Sequence, residues 1–208
     1  MKKLEGLYLV LDPSQEEEKL LKLLQEALKG GVSVIQIWDH WPRDITENQK
    51  KKIAKRIKEI AQNWKVPVLV NEDWKLALGA DLDGIHWNNI PTDWEDIYSK
   101  TSGIIHGLTV SNDLKLVEWA SRHKLSYISF CAVFPSSSVD TCEIVQPETI
   151  LQAQQMPHLP IFLSGGIKPE NLDLLKNYSI AGVAVISGIL NAPNPEEAAH
   201  EYLQKLNN

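Results

Sequence analysis

Ile161-Phe162-Leu163-Ser164-Gly165-Gly166-Ile167, running into Lys168-Pro169-Glu170-Asn171, is echoed further on by Gly182-Val183-Ala184-Val185-Ile186-Ser187-Gly188-Ile189. Each stretch is a short apolar run closed by a Gly/Ser turn, with a segment of helical character behind it. Runs that are apolar on both faces suit parallel strands, covered by helices outside and by other strands within. Paired glycines between strand and helix allow close backbone approach, and amides at the helix start can then donate to an anion. Tight turning alone would use such glycines too. Their recurrence at two successive strand ends favours an anion site.

The same unit recurs upstream. Apolar runs at 7–11, 34–38, 67–71, 84–87, 104–109 and 127–131 precede the two at 160–164 and 182–186. Helical periodicity fills 16–29, 46–64, 112–123, 147–155, 169–177 and 195–206, with shorter helical segments after the third and fourth runs. Thr46 suits an N-cap, Gly30-Gly31 suits a helix stop, and Pro147, Pro169 and Pro195 fit first turns. Eight strands alternating with helices over 1–208 predict one α/β domain, a (β/α)8 TIM barrel. A doubly wound open sheet is the rival, because periodicity does not report closure. In the barrel, ligands bind at the carboxyl ends of the strands, and anions after strands seven and eight.

Composition narrows the partners. Hydrophobic residues are 43%, charged residues 23% and the formal net charge is −6. No apolar run is long enough to span a bilayer, and the basic start lacks the apolar stretch and cleavage site of a signal peptide. The lysine run from Lys50 to Lys58 alternates with Ile53, Ile57 and Ile60, as the solvated face of a helix does. The acidic balance argues against nucleic acid. Cys131 and Cys142 are the only cysteines and are read as reduced thiols of a cytoplasmic protein. The expected partner is a small phosphorylated molecule, with a homo-oligomer left open.

The strand ends carry the polar residues. They include Gln36-Ile37-Trp38-Asp39-His40-Trp41, Asn71-Glu72-Asp73, His86-Trp87-Asn88-Asn89, Gly107-Leu108-Thr109, and Cys131-Ala132-Val133-Phe134-Pro135-Ser136-Ser137-Ser138. Amides such as Gln36 and Asn71 both donate and accept, which suits a heteroaromatic ring. Trp38, Trp41 and Trp87 are candidates to stack on it, against the plainer alternative of packing under a loop. His40, His86 and His106 fall near strand ends, but no close His or Cys spacing supports a zinc site. A lone histidine of this kind is more often a hydrogen-bonded structural residue.

These residues, in this order, resemble the thiamine-phosphate synthase family and its TenI-like thiazole tautomerase relatives. The likeness runs from Leu7-Tyr8-Leu9-Val10-Leu11-Asp12 through Gly84-Ile85-His86, Gly107-Leu108-Thr109, Val133-Phe134-Pro135-Ser136 and Gly165-Gly166-Ile167 to Gly182-Val183-Ala184-Val185-Ile186-Ser187. The resemblance implies coupling of a hydroxymethylpyrimidine diphosphate to a thiazole phosphate, with release of diphosphate and help from Mg2+. It places Gln36, Asn71 and Thr109, with Trp38 and His40, on the pyrimidine side. Gly165, Gly166, Ile186, Ser187, Ser136 and Ser138 would hold phosphate, and Glu72 would be the remaining metal carboxylate.

Against the family pattern, Trp38-Asp39-His40 stands where Arg-acidic-Lys is expected and Val139 where a lysine is expected. Asn88-Asn89-Ile90-Pro91 replaces a stretch with a second metal carboxylate. A diphosphate site normally combines Mg2+ with Arg or Lys. The sequence therefore predicts a depleted diphosphate half-site beside an intact monophosphate cradle, and a reduced set of ligands for Mg2+. The alternative function is a non-catalytic or repurposed binder, or a TenI-like isomerase, of thiazole phosphate, thiamine phosphate or a similar aromatic monophosphate. Ala132 occupies the tautomerase histidine position, leaving His86 and Cys131 as candidate bases. A sugar-phosphate epimerase would need paired acids and histidines that are not evident.

Overall fold

The computed structural model describes residues 4–135, 143–156 and 159–207. Eight parallel strands close into a barrel in chain order: β1 (Gly6–Leu11), β2 (Val34–Ile37), β3 (Val68–Asn71), β4 (Gly84–Trp87), β5 (Ile105–Thr109), β6 (Tyr127–Cys131), β7 (Ile161–Ser164) and β8 (Gly182–Val185). Closure is made by β1 pairing with β8, Leu7 beside Val183 and Leu9 beside Val185. The open-sheet rival is thereby excluded.

The helices are α1 (Glu17–Lys29), α2 (Glu47–Gln62), α3 (Trp74–Gly79), α4 (Trp94–Lys100), α5 (Leu114–Arg122), α6 (Pro147–Gln154), α7 (Ser187–Leu190) and α8 (Pro195–Asn207). Local chemistry sets their limits. Thr46 caps α2 in a reciprocal capping box with Gln49. The Glu16 side chain accepts from the first-turn N–H groups of α1. One face of α1, Leu20, Leu21, Leu24, Ala27 and Leu28, is buried against the barrel. The helical segment expected at 169–177 is present, as a shorter helix of another type. Pro169–Leu175 is a 3-10 helix, whose tighter turn suits the short span between the Gly165-Gly166 turn and the next strand.

Strand alternation divides the core in two. Outward residues such as Leu7, Leu9, Ile35, Ile37, Val70, Ile85, Leu108, Ile128, Leu163 and Val183 pack under the helices. Inward residues Tyr8, Val34, Leu69, Ile105, Tyr127, Phe162 and Ala184 fill the barrel. Tyr8, Tyr127 and Phe162 meet edge to face there, with centroids 5.4–6.0 Å apart. Gly107 makes room for this packing, since a Cβ there would lie 2.0 Å from Cζ of Tyr127. Above the aromatic layer the inward positions turn polar, and there the site begins.

Candidate active site

A cavity of about 1250 Å³ opens at the carboxyl ends of the strands. That is enough for one aromatic ligand and more, against the usual range of roughly 300–1,000 Å³ for small-molecule pockets. Its floor is an inward polar layer: Gln36 from β2, Asn71 from β3, His86 from β4, Thr109 from β5 and Ser129 from β6. Parallel register sets the layer, with Asn71 beside His86 and Thr109 beside Ser129. Gln36, Asn71, His86 and Ser129 are each less than a tenth exposed. Burial on this scale requires hydrogen-bond partners. Among the described residues no buried side-chain nitrogen or oxygen lacks one.

The partners form one line across the barrel. The Tyr8 hydroxyl donates to Oε1 of Gln36 at 2.6 Å and lies 2.9 Å from the Tyr127 hydroxyl. Nδ1 of His86 is 2.8 Å from the Tyr127 hydroxyl, and its Nε2 is 2.9 Å from Oγ1 of Thr109. Nδ2 of Asn71 donates to the His86 carbonyl at 3.2 Å. Burial pushes the His86 imidazole down to about 4, so it is neutral near pH 7. Burial likewise raises both tyrosines far above the ordinary phenol. The charged form of each group would be stranded in a medium that cannot solvate it.

The opposite wall is made of backbone. Gly165 and Gly166 follow β7 with φ +85° and +65°, a region that favours glycine. A Cβ on Gly165 would lie 2.4 Å from that of Ala132, and one on Gly166 would lie 2.5 Å from the Pro135 carbonyl. The carbonyls of this turn are all engaged: Phe134 N–H donates to Gly165, Asn171 Nδ2 to Gly166 and the Tyr202 hydroxyl to Ile167. In a trans peptide the N–H points opposite its carbonyl. The next N–H in each plane is therefore fixed too, and Gly165, Gly166, Ile186, Ser187 and Gly188 all line the cavity. Tyr202 reaches in from α8 and also abuts Gly188, so one ring braces both turns. Burial, aided by Glu170 and Glu201, pushes its hydroxyl up to about 12.

The expected residues distribute as follows. Gln36, Trp38, Asn71, His86, Thr109, Cys131, Gly165, Gly166, Ile186 and Ser187 all line the cavity. Cys131 is half-buried, at the end of β6. His40 does not line it: the loop after β2 turns outward, and Nδ1 of His40 meets Oδ1 of Asp12 at 3.1 Å with the ring mostly exposed. Trp87 points out of the barrel, because it is one residue past inward His86. Its indole N–H donates to Nδ1 of His106 at 3.2 Å, and Nε2 of His106 bonds the Thr101 carbonyl. Trp41 packs on the outer core instead of the cavity wall. Ser136, Ser138, Val139 and Cys142 lie outside the described residues. Tyr8, Tyr127, Ser129 and Tyr202 belong to the site and were not anticipated, although inward alternation from Gln36-type positions marks Tyr8 and Tyr127.

Mg2+ finds a poor set of donors here. Glu72 is exposed at φ +56° and does not line the cavity, and its Oε1 accepts from the backbone N–H of Asn88 at 2.9 Å. No group of three or more His, Cys, Asp or Glu able to hold a metal occurs among the described residues. Among the described residues that line the cavity, Lys168 is the one lysine or arginine, and Glu143, Glu170, Glu197 and Glu201 line the same cavity. The described residues do not fit a dedicated Mg2+ site, and no chemical step is assigned to the ion.

The chain is 33% identical over 206 residues to the thiamine-phosphate synthase of Picrophilus torridus, covering 98% of each chain. It is 32% identical over 206 residues to that of Methanobrevibacter smithii, covering 96% of this chain and 94% of the relative. A thiamine phosphate pyrophosphorylase structure from Pyrococcus furiosus superposes with TM-score 0.84 at 21% identity, covering 99% of this chain and 96% of that one. Orotidine 5'-phosphate decarboxylase from Pyrococcus horikoshii superposes at 0.71 and 16% identity, covering 97% and 99%, a likeness of fold alone. No helix among the described residues is long and apolar enough to cross a membrane. The family model described as Thiamine monophosphate synthase matches residues 7–189, and the chain belongs to that family.

Proposed function

We propose that the protein is a transferase of thiamine biosynthesis that joins an aminopyrimidine methyl diphosphate to a thiazole monophosphate. The carrying observation is that one cavity holds a buried neutral polar floor on β2–β6 and a glycine-built turn on β7–β8. The floor suits an uncharged heteroaromatic ring, and the turn suits a phosphate held by backbone N–H groups. With both substrates seated, the thiazole nitrogen attacks the pyrimidine methylene carbon. The C–O bond breaks and diphosphate leaves with the bonding electrons. The protein contributes position: Gln36, Asn71 and Thr109 orient the pyrimidine, Trp38 offers it a face, and the turn anchors the thiazole phosphate. Holding both partners together removes much of the entropic cost of a bimolecular step.

The scarcity of cations beside the floor favours a second reading, a binder or isomerase that keeps only the monophosphate half. Here His86 is a poor base, since both ring nitrogens are engaged and protonation is disfavoured. Cys131 remains the candidate. Purified protein incubated with pyrimidine diphosphate, thiazole phosphate and Mg2+ tests the choice by mass spectrometry. Thiamine phosphate well above a protein-free control supports the synthase. A folded protein that binds thiazole phosphate and forms no product supports the binder.

A further inference from the structure

Two buried tyrosines connect the two sides of the cavity floor. We infer that Tyr8, Tyr127 and His86 act as a positioning relay. The relay ties the hydrogen-bonding sense of Gln36 to that of Thr109, so that the floor selects a ring offering an acceptor to Gln36 and a donor to Thr109. The inference rests on the reading of this floor as a pyrimidine site.

Proton counting carries it. Each hydroxyl has one proton, and a neutral imidazole has one N–H and one acceptor nitrogen. The Tyr8 proton goes to Oε1 of Gln36. The contact between Tyr8 and Tyr127 must then use the Tyr127 proton. Tyr127 in turn accepts, so His86 carries its proton on Nδ1. Nε2 is left as the acceptor and takes the proton of Thr109. Every link is now assigned. Gln36 keeps N–H groups, and Thr109 keeps only lone pairs for a ligand.

Turning the Gln36 amide over would reverse every proton in the line and exchange the roles of the two ends. Mixed settings leave either a buried hydroxyl proton without an acceptor or two buried hydroxyl oxygens in contact with no proton between them, and both are costly in this interior. The two ends are thus coupled although different strands carry them. A 4-aminopyrimidine supplies a ring-nitrogen acceptor and an amino donor. The matching 4-pyrimidinone inverts that pattern, with a carbonyl in place of the amino group and an N–H on the ring.

The test reads the His86 tautomer by 15N NMR in protein labelled at the histidine rings, with His86→Gln assigning the resonance. Wild type should carry the proton on Nδ1. In Tyr8→Phe the Tyr127 hydroxyl loses its acceptor and should donate to Nδ1 of His86, moving the ring proton to Nε2. Gln36→Met should cause the same move from three links away, and serves if Tyr8→Phe does not fold. The imidazole nitrogens bond Tyr127 and Thr109, not the substituted residues, so a purely structural role would leave the tautomer alone. Wild type should also bind 4-amino-5-hydroxymethyl-2-methylpyrimidine at least about tenfold more tightly than its 4-oxo analogue, with the gap narrowing in Tyr8→Phe. A His86 proton that stays on Nδ1 in both variants, or that starts on Nε2 in wild type, overturns the relay. A tautomer that moves as expected in a protein binding neither pyrimidine keeps the relay and removes the pyrimidine reading. Pyrimidine binding with an unmoved tautomer does the reverse.

Discussion

The two walls of the cavity solve the same problem, presenting hydrogen-bonding groups of fixed sense to a ligand, with different materials. The β2–β6 floor uses side chains whose protons are ordered by one another. The β7–β8 wall uses peptide planes whose direction is set by backbone torsion and by donors that hold the carbonyls. A side-chain donor can be inverted by a proton or an amide rotation. A peptide N–H held at positive φ cannot. Recognition of a neutral ring with a directional edge suits the first. Binding a multiply charged, nearly symmetric phosphate suits the second.

The comparison can be broken most forcefully from below. Gly107→Ala would drive a methyl into the Tyr127 ring and is expected to cost about 3 kcal/mol, the upper end for overpacking, measured by urea denaturation. A loss under about 0.5 kcal/mol would mean the ring has another place to go and the floor is softer than described. The next lever is pH. His86 takes a proton readily when unfolded, near the ordinary value of 6.5, but only near 4 when folded. The unfolded chain therefore binds more protons between these values. The stability from keeping His86 neutral is complete above pH 6.5, drains away as pH falls and is gone below about 4. The total is about 3 kcal/mol. His86→Gln should flatten that part of the curve, and an unchanged slope would show that the imidazole is not buried neutral.

Gly166→Ala addresses the other wall. The positive φ and the Pro135 carbonyl together should weaken thiazole phosphate binding about tenfold or more, read by calorimetry, with pyrimidine binding nearly unchanged. Equal losses at both ligands would dissolve the distinction between the walls. Thr109→Val removes one hydrogen-bond acceptor for the ring and unpartners Nε2 of His86. It should reduce kcat/KM for the pyrimidine substrate by roughly tenfold, leaving the thiazole phosphate KM unchanged. Lys168→Ala sharpens the charge question at the smallest scale. The ammonium is exposed, so its loss should shift phosphate affinity by a few-fold at most, and by less at high salt.

Several features were legible in the residues because their physics is local. The Gly165-Gly166 turn is readable since few other residues accept such torsions. Thr46 and Gln49 announce a capping box three residues apart. Eight apolar runs between helical segments imply parallel pairing. Gln36, Asn71, His86 and Thr109 could be placed at strand ends by position alone, and all four do line the cavity. Trp87 and His40 were harder. A strand buried on both faces shows no polar-apolar alternation, so nothing local says whether Trp87 or its neighbour His86 faces inward. The turn after β2 carries His40 outward to Asp12, a contact between residues 28 apart in the chain.

The sequence by itself determined the βα repeat, the glycine turns and the family, because each rests on short-range torsional or periodic constraints. Tertiary structure alone decided that Tyr8 and Tyr127 meet between Gln36 and His86, and that Gly107 leaves room for an aromatic ring. The physical reason is closure. Residues 119 apart, Tyr8 and Tyr127, share a hydrogen bond only because the barrel brings their inward faces together, and no local preference encodes that meeting.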